Sequence, residues 1–213
     1  MSVLFFKRFL ARPLQIAFLV PSSKTLTRKV AEKCDFSQPQ ILVELGPGDG
    51  PHTREIVSRM HPDSRLFLFE IDPVLAEVMR KQFAHDSRVE VIETDAAHLK
   101  EELGKRGHEF CDYVISGLPF SMFNVPTKRR ILHAIYESLA PNPHAAFVTY
   151  QCTHELRRHA TMFPRIHSEF CLRNFPPIFV YVYHKQALNG HKHESQCGCS
   201  CGGKNHHGVN GHG

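Results

Sequence analysis

The chain has 213 residues, 42% of them hydrophobic, enough for one domain around one core. Its longest apolar stretches, such as residues 14–20 and 114–120, fall far short of the roughly 20 residues that span a bilayer, so no transmembrane helix is expected. The net charge of +5 is modest but uneven: residues 1–33 carry seven Lys or Arg and one acid, Glu32, and should seek anionic surfaces.

Residues 3–18 (VLFFKRFLARPLQIAF) place Arg8, Arg12 and Gln15 on one narrow helical face, with Phe5, Phe6, Phe9, Leu10 and Leu14 around the remainder. This pattern describes an amphipathic helix lying at a membrane interface, with Pro13 starting or kinking it. A helix packed as a lid over a cleft fits the same pattern. No small-residue cleavage site follows a long apolar region, so a secretory signal is not expected. The expected location is cytoplasmic, with peripheral association at the inner membrane.

Five segments then read as buried parallel strands: residues 41–45, 66–71, 89–92, 113–115 and 145–150. Each is short, apolar and rich in β-branched or aromatic residues. Helical stretches near 51–60, 73–84, 96–105 and 126–140 alternate with them. Such alternation predicts crossover units: a doubly wound, Rossmann-like α/β sheet with helices on both faces. Residues 177–183 (PIFVYVY) supply a late strand that such a sheet accepts as an antiparallel partner.

Candidate site residues gather at the strand ends. ILVEL runs into GPGDG, so Glu44 ends the first strand, and Gly46, Pro47, Gly48 and Gly50 form a tight turn that lets a ligand approach the backbone. The second strand ends in FEID, placing Glu70 and Ile71 where an acid accepts hydrogen bonds from both ribose hydroxyls of an adenosine. The third ends in ETDA, where Asp95 and Ala96 would face the adenine. A dinucleotide-binding dehydrogenase shares the first two elements, but its usual turn is G-x-G-x-x-G. E-L-G-P-G-D-G with its strand-end acid instead resembles motif I of class I methyltransferases, where acid and loop hold the methionine part of S-adenosylmethionine (SAM).

After the fourth strand comes DYVISGLPF, where amino-directed enzymes of this class place [N/D/S]-x-P-[F/Y]. Here Ser116 precedes Gly117, Leu118, Pro119 and Phe120. Methyl transfer needs a neutral nitrogen lone pair aimed in line at the methyl group, with water excluded. Backbone carbonyls of a proline-stiffened turn would accept the amine hydrogens. The Phe120 ring would face the cationic sulfonium.

Over residues 3–184 the chain resembles the small bacterial phospholipid N-methyltransferases and their ornithine-lipid methylating relatives. The likeness lies in FFKRFLARPLQIAFLVPSSKTLTRKV, VELGPGDG, FEID, VISGLPF and RNFPPIFVYVY, in that order. It implies SAM-dependent methylation of a membrane lipid amine, of phosphatidylethanolamine towards phosphatidylcholine or of ornithine lipid. It also implies Ser22 and Ser23 near the methionine carboxylate, and Arg173, Asn174, Tyr181 and Tyr183 on the head-group side of the pocket. Packing within the sheet fits the two tyrosines equally. Two departures from the family pattern, Asp49 where Thr is commoner and LVP before SSK, remove no group that the chemistry needs.

An rRNA adenine N6-methyltransferase is the main rival within the fold, but its tetrad is N-L-P-Y. Gly117 lacks the amide that would hold an adenine amino group, Phe120 lacks the hydroxyl, and the chain lacks room for an added helical RNA-binding domain. No nucleic-acid partner is therefore expected. Residues 187–213 change composition abruptly, with five His, three Cys and many Gly, and read as a disordered tail with opportunistic metal affinity. Cys34, Cys111, Cys152 and Cys171 are scattered, so no disulfide framework is implied. A metal-handling protein on a decayed methyltransferase fold is the non-enzymatic alternative, opposed by the intact Glu44, Glu70 and SGLPF. The expected organisation is a membrane or lid segment over 1–30, a methyltransferase domain over 31–186, and the tail.

Overall fold

A computed structural model describes residues 23–172 and 177–185. The expected interfacial helix at 3–18, Ser22, Arg173, Asn174 and the tail lie outside these residues. Helix α1 spans Lys24–Ala31, begun by Ser23, whose hydroxyl accepts the Leu26 amide hydrogen at 3.1 Å. Leu26 and Val30, four apart on one face, are buried in the core. The boundary expected at residue 30 thus falls inside a helix that packs with the sheet.

The chain then alternates: β1 (Ile41–Leu45), α2 (Pro51–Arg59), β2 (Arg65–Glu70), α3 (Pro73–Gln82), β3 (Val89–Glu93), a 3-10 turn (Ala96–His98) leading into α4 (Leu99–Lys105), β4 (Tyr113–Ser116), α5 (Val125–Ser138) and β5 (Ala146–Gln151). A hairpin of β6 (Arg165–Cys171) and β7 (Ile178–His184) completes the sheet. The helix starts follow local chemistry. Asp72 accepts from the Val74 and Leu75 amides ahead of Pro73, and Asn124 accepts from Thr127.

The seven strands run in the order β3-β2-β1-β4-β5-β7-β6. The first five are mutually parallel, while β7 lies antiparallel to both β5 and β6. Side chains alternate between two cores. Leu42, Leu66, Leu68, Ile115, Val148 and Val180 face α1, α2 and α3 through Leu26, Ile56 and Met79. Val43, Phe67, Val114, Phe147, Tyr181 and Tyr183 face α4 and α5 through Leu103, Leu132 and Ile135. Both faces are therefore covered, as a doubly wound sheet requires. Strand β6 was not legible in the sequence, because RIHSEFC is largely exposed and polar, an edge strand recruited by its hairpin partner. Among the described residues no helix is long and apolar enough to cross a membrane.

Candidate active site at the carboxyl ends of the strands

Strand order reverses between β1 and β4, and the crevice outside the carboxyl ends at such a point is where ligands bind in open α/β sheets. Leu45 and Ser116 are register partners there. The chain leaves β1 through Gly46, Gly48 and Gly50, all with left-handed φ, at +67°, +61° and +80°. A side chain would be strained at each. A Cβ on Gly46 would fall 2.7 Å from Leu118 Cδ2, whereas one on Gly48 would meet nothing within 4 Å, so Gly48 borders open space. Pro47 is buried and its carbonyl accepts from Gly50 at 3.0 Å, which closes the turn.

Glu44 and Glu70, near the carboxyl ends of the neighbouring strands β1 and β2, are each only 2% exposed. The Thr53 hydroxyl donates to Glu44 at 2.7 Å. Burial pushes the Glu44 carboxyl up to about 7; Thr53 pulls it down, and the Glu70 charge adds to the rise. Glu70 accepts the Asp72 amide at 3.0 Å and the Gly48 amide at 3.4 Å, joining the glycine turn to the end of β2. Its carboxyl is also raised by burial, against those amide bonds. Ile71 is half-buried beside it. Asp95 accepts from the Ala97 amide at 2.9 Å and pairs with Arg130 at 3.3 Å, while Ala96 is buried.

The turn after β4 is tied to β1 and β5. The Gly117 amide donates to the Leu45 carbonyl at 3.0 Å, and the Leu118 amide to Ser116 Oγ at 3.2 Å. Thr149 donates to the Ser116 carbonyl at 3.0 Å, and Gln151 Nε2 to the Leu118 carbonyl at 3.0 Å. The Pro119 carbonyl accepts the Met122 amide at 3.0 Å. Several carbonyls expected to receive the amine thus already serve the protein, and Gly117 is the tetrad residue whose carbonyl has no partner among the described residues. Phe120 also departs from expectation. It is 1% exposed, with edge contacts to Phe123 and Phe147, because the 3-10 turn at Phe120–Met122 directs its ring into the core.

Tyr181 and Tyr183 are likewise fully buried. Tyr183 stacks on Phe147 at 5.3 Å, and the Tyr181 hydroxyl bonds to His154. They share one strand face, as alternation predicts, but that face is the core beside α5, so packing is the role seen here rather than head-group lining. Ser23, expected near the methionine carboxylate, caps α1. Four polar residues of the site escaped the sequence reading: Thr53, Thr149, Tyr150 and Gln151. The last three end the fifth strand, so the strand-end rule applied to Glu44, Glu70 and Asp95 was the signal available for them.

Known proteins match this arrangement. The sequence profile of the ribosomal RNA adenine dimethylase family matches residues 16–119. Ornithine lipid N-methyltransferase of Singulisphaera acidiphila is 34% identical over 178 residues, covering 84% of this chain and 93% of that protein. Ribosomal RNA small subunit methyltransferase A of Mycoplasma capricolum is 30% identical over 101 residues, covering 46% of this chain and only 36% of that protein. The crystal structure of the N-methyltransferase NodS from Bradyrhizobium japonicum in complex with S-adenosyl-L-homocysteine has the same fold, with a TM-score of 0.62 at 12% identity over 85% of this chain and 97% of that one. The site fits SAM: Gly48 leaves open the space a Cβ would fill, and buried acids stand at the ends of β1 and β2. The chain belongs to the family of the ornithine lipid N-methyltransferase, within the class I SAM-dependent methyltransferases.

Proposed function

We propose that the chain methylates the primary amine of a membrane lipid head group, with ornithine lipid the first candidate and phosphatidylethanolamine the second. The observation that carries this reading is the match to the ornithine lipid enzyme, which runs over nearly that protein's whole length instead of stopping at the cofactor half. The glycine turn, Glu44 and Glu70 would hold the methionine and ribose parts of SAM, and Asp95 with Ala96 the adenine edge. Bound SAM supplies a methyl group on a sulfonium centre. The protein's task is to present a neutral amine in line with that methyl, so that the N–C bond forms as the C–S bond breaks and the electron pair goes to sulfur. The ammonium product then gives its proton to solvent. The turn at 116–120, braced by Thr149 and Gln151, lies where the amine would be held.

Residues 3–18 would bring this cleft to an anionic bilayer surface at the cytoplasmic face of the membrane, and Arg173 would face the lipid's anionic group. The tail's His and Cys residues would bind metal opportunistically, outside catalysis. An rRNA adenine substrate draws support from the dimethylase profile over 16–119. It is disfavoured by Gly117, where a Cβ would lie 2.7 Å from the Tyr150 hydroxyl, so that the space of an amide side chain is already taken.

The test is incubation with methyl-labelled SAM and liposomes of ornithine lipid, phosphatidylethanolamine or its monomethyl form, with structured rRNA in parallel. Label in lipid is expected. Label in RNA alone would overturn the reading.

A further inference from the structure

Gly117 is glycine for reasons of space. Its φ lies outside the left-handed region, so its backbone would accept a side chain. A Cβ there, however, would meet Tyr150 Oη at 2.7 Å and the Gly46 carbonyl at 3.0 Å. The phenol oxygen of β5 therefore stands at the transfer turn, in the volume that a polar side chain at 117 would fill. On either side of it along the strand, Thr149 donates to the Ser116 carbonyl and Gln151 to the Leu118 carbonyl, so β5 braces the same turn at three successive residues. Tyr150 lies on the opposite face of β5, towards α2, where its ring stacks on His52 at 4.7 Å with 23° between planes. Burial lowers the His52 imidazole to about 4, so the ring beneath the phenol carries no charge at neutral pH.

We infer that the Tyr150 hydroxyl replaces the missing side chain of position 117 and accepts an N–H of the amine being methylated. A phenol oxygen has lone pairs for this in addition to its own proton. With one N–H held by Tyr150, the nitrogen lone pair is turned towards the methyl group; the bond changes are those already given, and Tyr150 neither gains nor loses a proton. The inference rests on the lipid-amine reading for the identity of the amine, and on the contact between Tyr150 and Gly117 for its position.

The test is Tyr150→Phe, which keeps the ring and its stacking on His52 and removes only the oxygen. SAM affinity by calorimetry should stay within about twofold of wild type, while kcat on ornithine-lipid liposomes should fall about tenfold, the usual worth of one such hydrogen bond in a reacting complex. Gly117→Ala should lower the melting temperature of wild type more than that of the Tyr150→Phe variant, in which the nearest remaining ring atom, Cζ, lies 3.6 Å away. A folded Tyr150→Phe variant with wild-type kcat would overturn the inference, as would a loss confined to SAM binding. Both proteins are also assayed on structured rRNA. If wild type labels only RNA, the lipid reading fails separately, and the same comparison on RNA then supports or overturns the acceptor role of Tyr150.

Discussion

Thr53, in the first turn of α2, donates its hydroxyl at 2.7 Å to Glu44 at the end of β1, both side chains being buried. The bond spans the glycine turn and fixes one carboxylate oxygen beneath it. Burial holds this carboxyl up to about 7, against an ordinary value of 4.5. The free protein should therefore lose stability as pH rises from about 4.5 to 7, where the unfolded chain ionises and the folded one does not. The loss is on the order of 3 kcal/mol by linkage. The ammonium of SAM beside Glu44 would favour its carboxylate, so SAM affinity should rise across the same window with release of a proton. Calorimetry in buffers of different ionisation enthalpy measures this, and Glu44→Gln should flatten both curves.

One variant tests the proposed ribose contact of Glu70 together with its hydrogen bonds to the Asp72 and Gly48 amides. Glu70→Ala should weaken SAM binding by roughly 1.5 to 3 kcal/mol, the usual worth of hydrogen bonds to a charged group. Stability should fall as well, because the Asp72 and Gly48 amides lose their acceptor. Unchanged SAM affinity in a folded variant would remove Glu70 from the ribose site.

Gly46→Ala and Gly48→Ala should cost similar backbone strain, about 1 to 2 kcal/mol each, since both residues have left-handed φ. Their functional effects should separate. The new methyl at 46 displaces Leu118 in the transfer turn and should lower kcat, whereas the one at 48 enters open space and should lower SAM affinity. Thermal denaturation and steady-state kinetics on the two variants distinguish these outcomes.

Lys29 of α1 and Lys33, in the turn just after it, both pair with Glu169 on β6, and the lysine bonds hold that carboxyl down at about 2. A lowered acid stabilises above the unfolded value and is lost as pH falls from about 4.5 through 2. Glu169 is about a third exposed, so after solvent screening Glu169→Gln should cost less than about 1 kcal/mol at neutral pH. In urea titrations that difference should shrink with added salt and vanish near pH 2.

Changing Lys7, Arg8 and Arg12 together to Gln should remove roughly 3 kcal/mol of attraction to anionic liposomes, at about 1 kcal/mol per cation. Turnover on liposomes should fall steeply, and turnover on a short-chain soluble analogue should fall little. Equal loss on both substrates would make the segment a lid over SAM.

The alternation of short apolar runs with helical stretches determined the doubly wound sheet, because a strand buried on both faces must be apolar throughout and a helix must return the chain between parallel neighbours. The strand-end acids and the glycine turn were legible for the same reason: their backbone and charge requirements are local. Strand β6 was not, since a polar edge strand takes its conformation from its hairpin partner. Side-chain destinations also required the tertiary structure. Tyr181, Tyr183 and Phe120 carry the residue types of a pocket wall, yet Tyr183 and Phe120 pack against Phe147, and Tyr181 against Tyr183 and His154, in the core. Tyr150 reads as one more strand aromatic until β4 and β5 lie side by side and bring its hydroxyl against Gly117. Which aromatic faces a crevice depends on what closes over each face of the sheet, and contacts between residues far apart in the chain decide that.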